Sequence, residues 1–187
     1  SSPSRGLGDV YKRQSLSFYE VSLGQYLQML GATQHILRTA EAHADTGGID
    51  LGAIVNFRLQ HDMHPFSFQV VSIWHHSYGA LNAMRDGLFE PPPSVDDTSW
   101  QGLSGLVDQA VEVLSQETKE SMAALSDKTM VFKGGGMEIP FTNSNFLLSF
   151  SLPNFYFHVT TVYDMLRMHG VPLGKLDFLG QMKIGLE

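Results

Sequence analysis

Eight histidines and no cysteine define the chemistry open to this 187-residue chain. Without cysteine there is no disulfide, thiolate nucleophile or Cys-ligated zinc, which leaves imidazole and carboxylate as the metal-competent groups. His158 stands out among the eight. It lies in residues 152–170, Leu-Pro-Asn-Phe-Tyr-Phe-His-Val-Thr-Thr-Val-Tyr-Asp-Met-Leu-Arg-Met-His-Gly. In this stretch Phe155, Val159, Val162 and Leu166 form an apolar stripe at helical spacing. On a wheel of roughly 100° per residue, His158 points about 40° from Val162 and about 60° from Phe155. A titratable side chain therefore faces the packed side of a helix.

His75 and His76 hold a comparable place in an apolar segment that begins at Pro65. His75 shares a face with Phe68, Val71 and Tyr78, and His76 shares one with Gln69 and Ile73. Neutral imidazoles converging from two helices are the usual start of a zinc, nickel or iron site. Asp62 and His64, just ahead of that helix, would add an oxygen or a further nitrogen. The competing reading is a buried histidine satisfied by Gln69, Tyr163 or a backbone carbonyl. His35 and His43 read as solvated or partly buried positions on the first helix. His169 reads as a charge at a helix end, and Asp164 and Arg167 as a surface pair at i, i+3.

Other chemistries find no support. There is no G-x-S-x-G elbow, phosphate loop, dinucleotide fingerprint or H-E-x-x-H. Serines are plentiful, but none is singled out as a nucleophile. A net charge of −7 without a basic run argues against nucleic acid and against a helix-turn-helix DNA binder. No apolar run approaches the roughly 20 residues that span a bilayer. Composition, at 43% hydrophobic and 17% charged, is that of a soluble globular protein, and the expected location is cytoplasmic.

Long helices must position these groups. A first helix is expected from Leu16 to about Ala44, ended by Gly47-Gly48, with Asp50 capping a short helix to about Leu59. The second runs from Pro65, at its first position, to about Arg85. Its apolar surface covers more than half its circumference, which marks a central helix. Gly87 to Asp97, with its triple proline, is a stiff crossover. A third helix spans about Ser99 to Leu125. Thr129–Lys133 and Met137–Phe141 flank a glycine turn as a hairpin. Thr142 or Asn143 then caps the last helix, which kinks or restarts at Pro153 and ends at Gly170. The tail is expected to lay Leu173, Leu176, Phe178 and Leu179 across the bundle. These elements predict an all-α fold, a four-helix bundle with a long crossover and a small β-hairpin before the last helix. Residues 15–180 make one domain, with 181–187 a tail. Ser1 to Gln14 have no apolar periodicity and read as a non-native or disordered leader. They carry a net +2, so the remainder is −9.

Two stretches resemble a known family. Residues 58–70, Arg-Leu-Gln-His-Asp-Met-His-Pro-Phe-Ser-Phe-Gln-Val, match its R-L-x-x-D-M-x-P-x-x-x-Q-V signature. Residues 152–180 match its ending almost letter for letter. The family is number 1993 of the domain-of-unknown-function series, similar to the DinB/YfiT-like superfamily of metalloenzymes. The resemblance implies a DinB-like bundle, a site between the second and last helices, and homodimers. It also implies a three-histidine metal site used in thiol-dependent transfer or maleylpyruvate isomerisation. In that site one ligand comes from the second helix and a pair at i, i+4 from the last. Here the i+4 partner of His158 is Val162 and the i−4 residue is Asn154, so Asp62 or Gln69 would have to complete a metal set with His75 and His158. The expected pocket is thus lined by Asp62, Gln69, His75, Asn154 and His158, with a metal-dependent transferase or isomerase-like activity. The alternative is a non-catalytic ligand-binding or dimerisation module with a structural polar core.

Overall fold

The computed structural model describes residues 16–184; the leader expected at residues 1–14 and the last residues of the tail lie outside them. The chain is mostly helical. In order it forms α1 (Phe18–Val21), α2 (Leu23–Asp45), α3 (Leu51–Ile54) and α4 (Phe66–Trp74), then a π-helical turn His75–Gly79 and α5 (Ala80–Asp86). β1 (Leu88–Phe89), α6 (Trp100–Ser115), α7 (Lys119–Ala123), β2 (Thr129–Gly134) and β3 (Met137–Thr142) follow. The chain continues with α8 (Asn143–Phe146), a second π-helical turn Leu147–Ser151, α9 (Leu152–Met168) and α10 (Lys175–Leu179).

Local signals account for most boundaries. Ser17 and Glu20 form a capping box at α1, and Asp50 Oδ1 accepts the amides of Gly52 and Ala53 at α3. Thr142 caps α8 by accepting the Asn145 amide, and Gly170 follows the end of α9 with φ +85°. Gly135 and Gly136 both have positive φ, as a tight hairpin turn requires.

Several expectations are corrected. The first helix breaks at Ser22, whose φ and ψ are not helical. Pro65 sits at the N-cap of α4, one position earlier than expected. The third helix stops at Ser115 and restarts after Thr118, whose side chain caps α7 in a box with Ser121. The fold is mostly helical, as expected, but the expected hairpin acquires a third strand. Leu88 and Phe89, at the start of the crossover, pair parallel with Val131 and Phe132. Pro153 lies in the first turn of α9, where the α-helix restarts after the π-helical turn, as expected. In the tail Leu173 is buried, but Leu176 is 74% exposed.

The core runs through the long helices. Tyr26, Leu30 and Ile36 of α2, Phe66, Val70 and Ile73 of α4, and Leu103, Val107 and Leu114 of α6 are buried. The stripe of α9, Phe155, Val159, Val162 and Leu166, is buried throughout, as its spacing predicts. Phe66 stacks on Trp100 with ring centroids 5.4 Å apart, tying α4 to α6. Beneath the sheet Phe89, Phe132, Phe146 and Phe150 pack ring on ring. No helix among the described residues is long and apolar enough to cross a membrane.

Candidate functional site

The packing of α4 against α9 brings Gln69 and His158 together. Both are buried, and His158 Nδ1 lies 2.7 Å from Gln69 Oε1. The other end of the amide, Gln69 Nε2, donates to the His64 carbonyl at 3.1 Å. That bond orients the amide and thereby sets the tautomer. Oε1 faces the imidazole, so His158 donates from Nδ1–H and its Nε2 keeps a free lone pair. Burial, followed by the nearby His64, depresses the His158 pKa to about 4. The ring is neutral at pH 7.

His76 is the nearest second imidazole. Its ring lies 6.0 Å from that of His158 and is inclined to it by 21°. Burial lowers its pKa to about 3, with smaller contributions from His158 and His75. Its Nδ1 is buried without a hydrogen-bond partner among the described residues. The backbone at this point is held by a relay. Ser151 Oγ donates to the His76 carbonyl at 2.8 Å, and the Tyr26 hydroxyl lies 2.7 Å from the same Oγ. Since Ser151 has one proton, Tyr26 is the donor to it. The relay joins α2 and the two π-helical turns, and π-helical turns frequently mark functional positions.

The other expected site residues point elsewhere. His75 turns to the crossover, where Nε2 donates to the Glu90 carbonyl at 2.7 Å and the ring stacks on Phe89 at 4.4 Å. It passes over Gly79, where an added Cβ would come within 2.7 Å of His75 Nδ1. Asn154 Nδ2 bonds back to the Phe150 carbonyl in the preceding π-helical turn. Asp62 is exposed in a loop that Arg58 closes by donating to the Met63 carbonyl. Of the expected pocket, then, only Gln69 and His158 meet. His64 adds a ring stacked on Phe68 at 3.9 Å, and His76 replaces His75. The signal for His76 was its seven-residue spacing from Gln69. His169, expected as a charge at a helix end, has its Nε2 buried, and its ring meets Phe57 edge-on at 4.4 Å.

The three-histidine metal site that the family resemblance implies does not fit these residues. Among the described residues, no three His, Asp or Glu side chains converge to hold a metal. The interface offers two neutral imidazoles, one of them already oriented by an amide.

Known proteins place the fold. No curated protein matches the chain. A DinB family member from Shewanella denitrificans, known from its crystal structure, is similar to it with a TM-score of 0.73 and 25% identity, over 90% of this chain and 95% of that one. Residues 18–179 match the model of the family described as Domain of unknown function (DUF1993), and the chain belongs to that family.

Proposed function

We propose that this chain is a non-catalytic binding module on a DinB-like four-helix bundle, and that its interior histidines hold the helices in register rather than carry a reaction. The supporting observation is the closed relay from the His64 carbonyl through Gln69 to His158 Nδ1. Each hydrogen-bonding group in it finds a protein partner, as a buried polar network must to be stabilising. A transferase or isomerase-like activity would need a metal, and two imidazoles are one short of the three protein ligands a catalytic zinc ion keeps. The experiment is metal analysis of protein purified without chelators, followed by zinc and nickel titration. Metal-free protein that binds neither ion supports the structural role. One equivalent of metal that disappears in His158→Ala overturns it.

A second reading rests on the partnerless His76 Nδ1. A small molecule, or a zinc, nickel or iron ion whose coordination that molecule completes, would satisfy this nitrogen together with His158 Nε2. His76→Ala would then abolish binding without unfolding the protein. The homodimer implied by the family resemblance would use the outer face of α9, where Phe157 is 55% and Met168 66% exposed. Sedimentation of native protein and of Phe157→Glu tests this, and an unchanged oligomeric state removes that face from consideration. The cysteine-free composition supports a reducing, cytoplasmic setting.

A further inference from the structure

A cavity lies away from the histidine interface, between α2 and the C-terminal segment around α10. Its volume is about 550 Å³, within the range of small-molecule pockets. Gly31 and Ala32 of α2 form its floor, and a Cβ added at Gly31 would meet nothing within 4 Å. Leu27 and the exposed Leu176 supply apolar wall. The far side is firmly built. Gln28 Nε2 donates to the Leu179 carbonyl at 2.8 Å. Gly180, at φ +61°, lies so close to α2 that a Cβ there would sit 3.0 Å from that of Ala32.

The charges around this cavity are unevenly satisfied. Asp177 accepts the Gly174 amide through Oδ2 and meets His35 Nε2 through Oδ1, both at 2.7 Å. In the smaller adjoining cavity between α2 and α6, Asp108 accepts from Gln34 at 2.6 Å and Glu41 from the Trp100 indole at 2.8 Å. Arg38 lines both cavities, and its guanidinium makes no ion pair or hydrogen bond with the described residues. Each of these carboxylates thus has at least one oxygen engaged within the protein, while Arg38 keeps five donors that no described residue takes up, in a fork that matches a carboxylate.

We propose that this cavity binds a small organic carboxylate, its anionic end on Arg38 and its short apolar tail against Leu27, the Gly31–Ala32 floor and Leu176. The site is independent of the histidine interface. The probe is sodium hexanoate, titrated into the ¹⁵N-labelled full chain and followed by amide chemical shifts. Saturable shifts are expected within residues 27–38 and 176–181. Hexanamide, which keeps the tail and loses the charge, and the variant Arg38→Met should each bind about tenfold more weakly, the factor that corresponds to 1.4 kcal/mol. Gly31→Leu, which fills the cavity from an open helical position, should abolish the shifts while its melting curve stays cooperative. His158→Ala should bind hexanoate like the native protein. Shifts confined to other residues, equal binding of hexanamide, or undiminished affinity in Arg38→Met would overturn the proposal. Competition by inorganic phosphate as effective as that by hexanoate would overturn the role of the apolar tail.

Discussion

His158 and His35 each place a ring nitrogen 2.7 Å from a side-chain oxygen, yet the two contacts work by different physics. His158 is 8% exposed and meets the neutral amide of Gln69. His35 has a side chain 51% exposed and meets the carboxylate of Asp177. Inside the protein, desolvation penalises an imidazolium, so a neutral acceptor and a depressed pKa belong together. At the surface, water competes for both groups and screens any charge attraction, so the contact costs little to form and contributes little. The buried contact therefore sets helix register, whereas the exposed one loosely clips the C-terminal segment to α2. The same difference separates the two candidate sites: in the interior Gln69 already engages His158 Nδ1, whereas in the α2–α10 cleft no described residue pairs with Arg38.

Acidification should break this comparison most strongly. The folded-state pKa values of His158 and His76, about 4 and about 3, lie below the ordinary value of 6.5. The unfolded chain therefore binds protons that the folded chain refuses. Stability is unaffected by these groups above about pH 6.5 and falls as pH drops toward 4, with a slope of about 1.4 kcal/mol per pH unit for each group. Urea denaturation at pH 7, 6, 5 and 4 measures this, and the slope should fall in His76→Phe by that one group's share, His75 also being lowered by burial. A flat profile would mean that the two rings are hydrated and accept protons readily.

Replacing Gln69 by Leu comes next. It strands the His158 Nδ1–H and the His64 carbonyl, and the expected loss is about 1–3 kcal/mol, read as a lower midpoint in thermal denaturation. Gln69→Glu should retain the acceptor and raise the pKa of His158, which ¹H–¹³C spectra of the histidine ring would show. Gly180→Ala should cost about 1–2 kcal/mol, because an L residue at positive φ is strained and its Cβ would press on Ala32. Its signature is faster amide exchange in α10 with α9 unchanged. The smallest effect belongs to the surface pair. Asp177→Asn should cost under about 1 kcal/mol, less in high salt. A larger or salt-independent loss would show that the pair is not of the surface kind.

The contrast also explains what could be read before folding. The stripe Phe155, Val159, Val162, Leu166 was legible because burial on one helix face repeats with the helical period. The caps at Asp50, Thr142 and Gly170 were legible because a cap is made by a side chain or backbone angle within a few residues of the helix end. Gln69 as the partner of His158 was one of a few alternatives that face and spacing allowed. The choice between His75 and His76 was different. Both lie on a π-helical turn, where the chain departs from the 100° wheel, and Gly79 makes room for the His75 ring to swing toward Glu90. The third strand was equally hidden. Leu88 and Phe89 are two residues without alternation, and they become a strand only because Val131 and Phe132 lie alongside.

From its sequence alone this chain determined the helices, their caps, the hairpin and the family, since each is written in neighbouring residues or in a long contiguous motif. Tertiary structure decided which histidine accompanies His158, which acceptor satisfies it, and that Asp62, His75 and Asn154 stay away from it. It also decided that the C-terminal segment, through Gly180 and Asp177, walls a cavity around Arg38. The pairings of Gln69 with His158 and of Gln28 with Leu179 join residues 89 and 151 positions apart. No local propensity encodes such a pairing; packing of the assembled helices selects it.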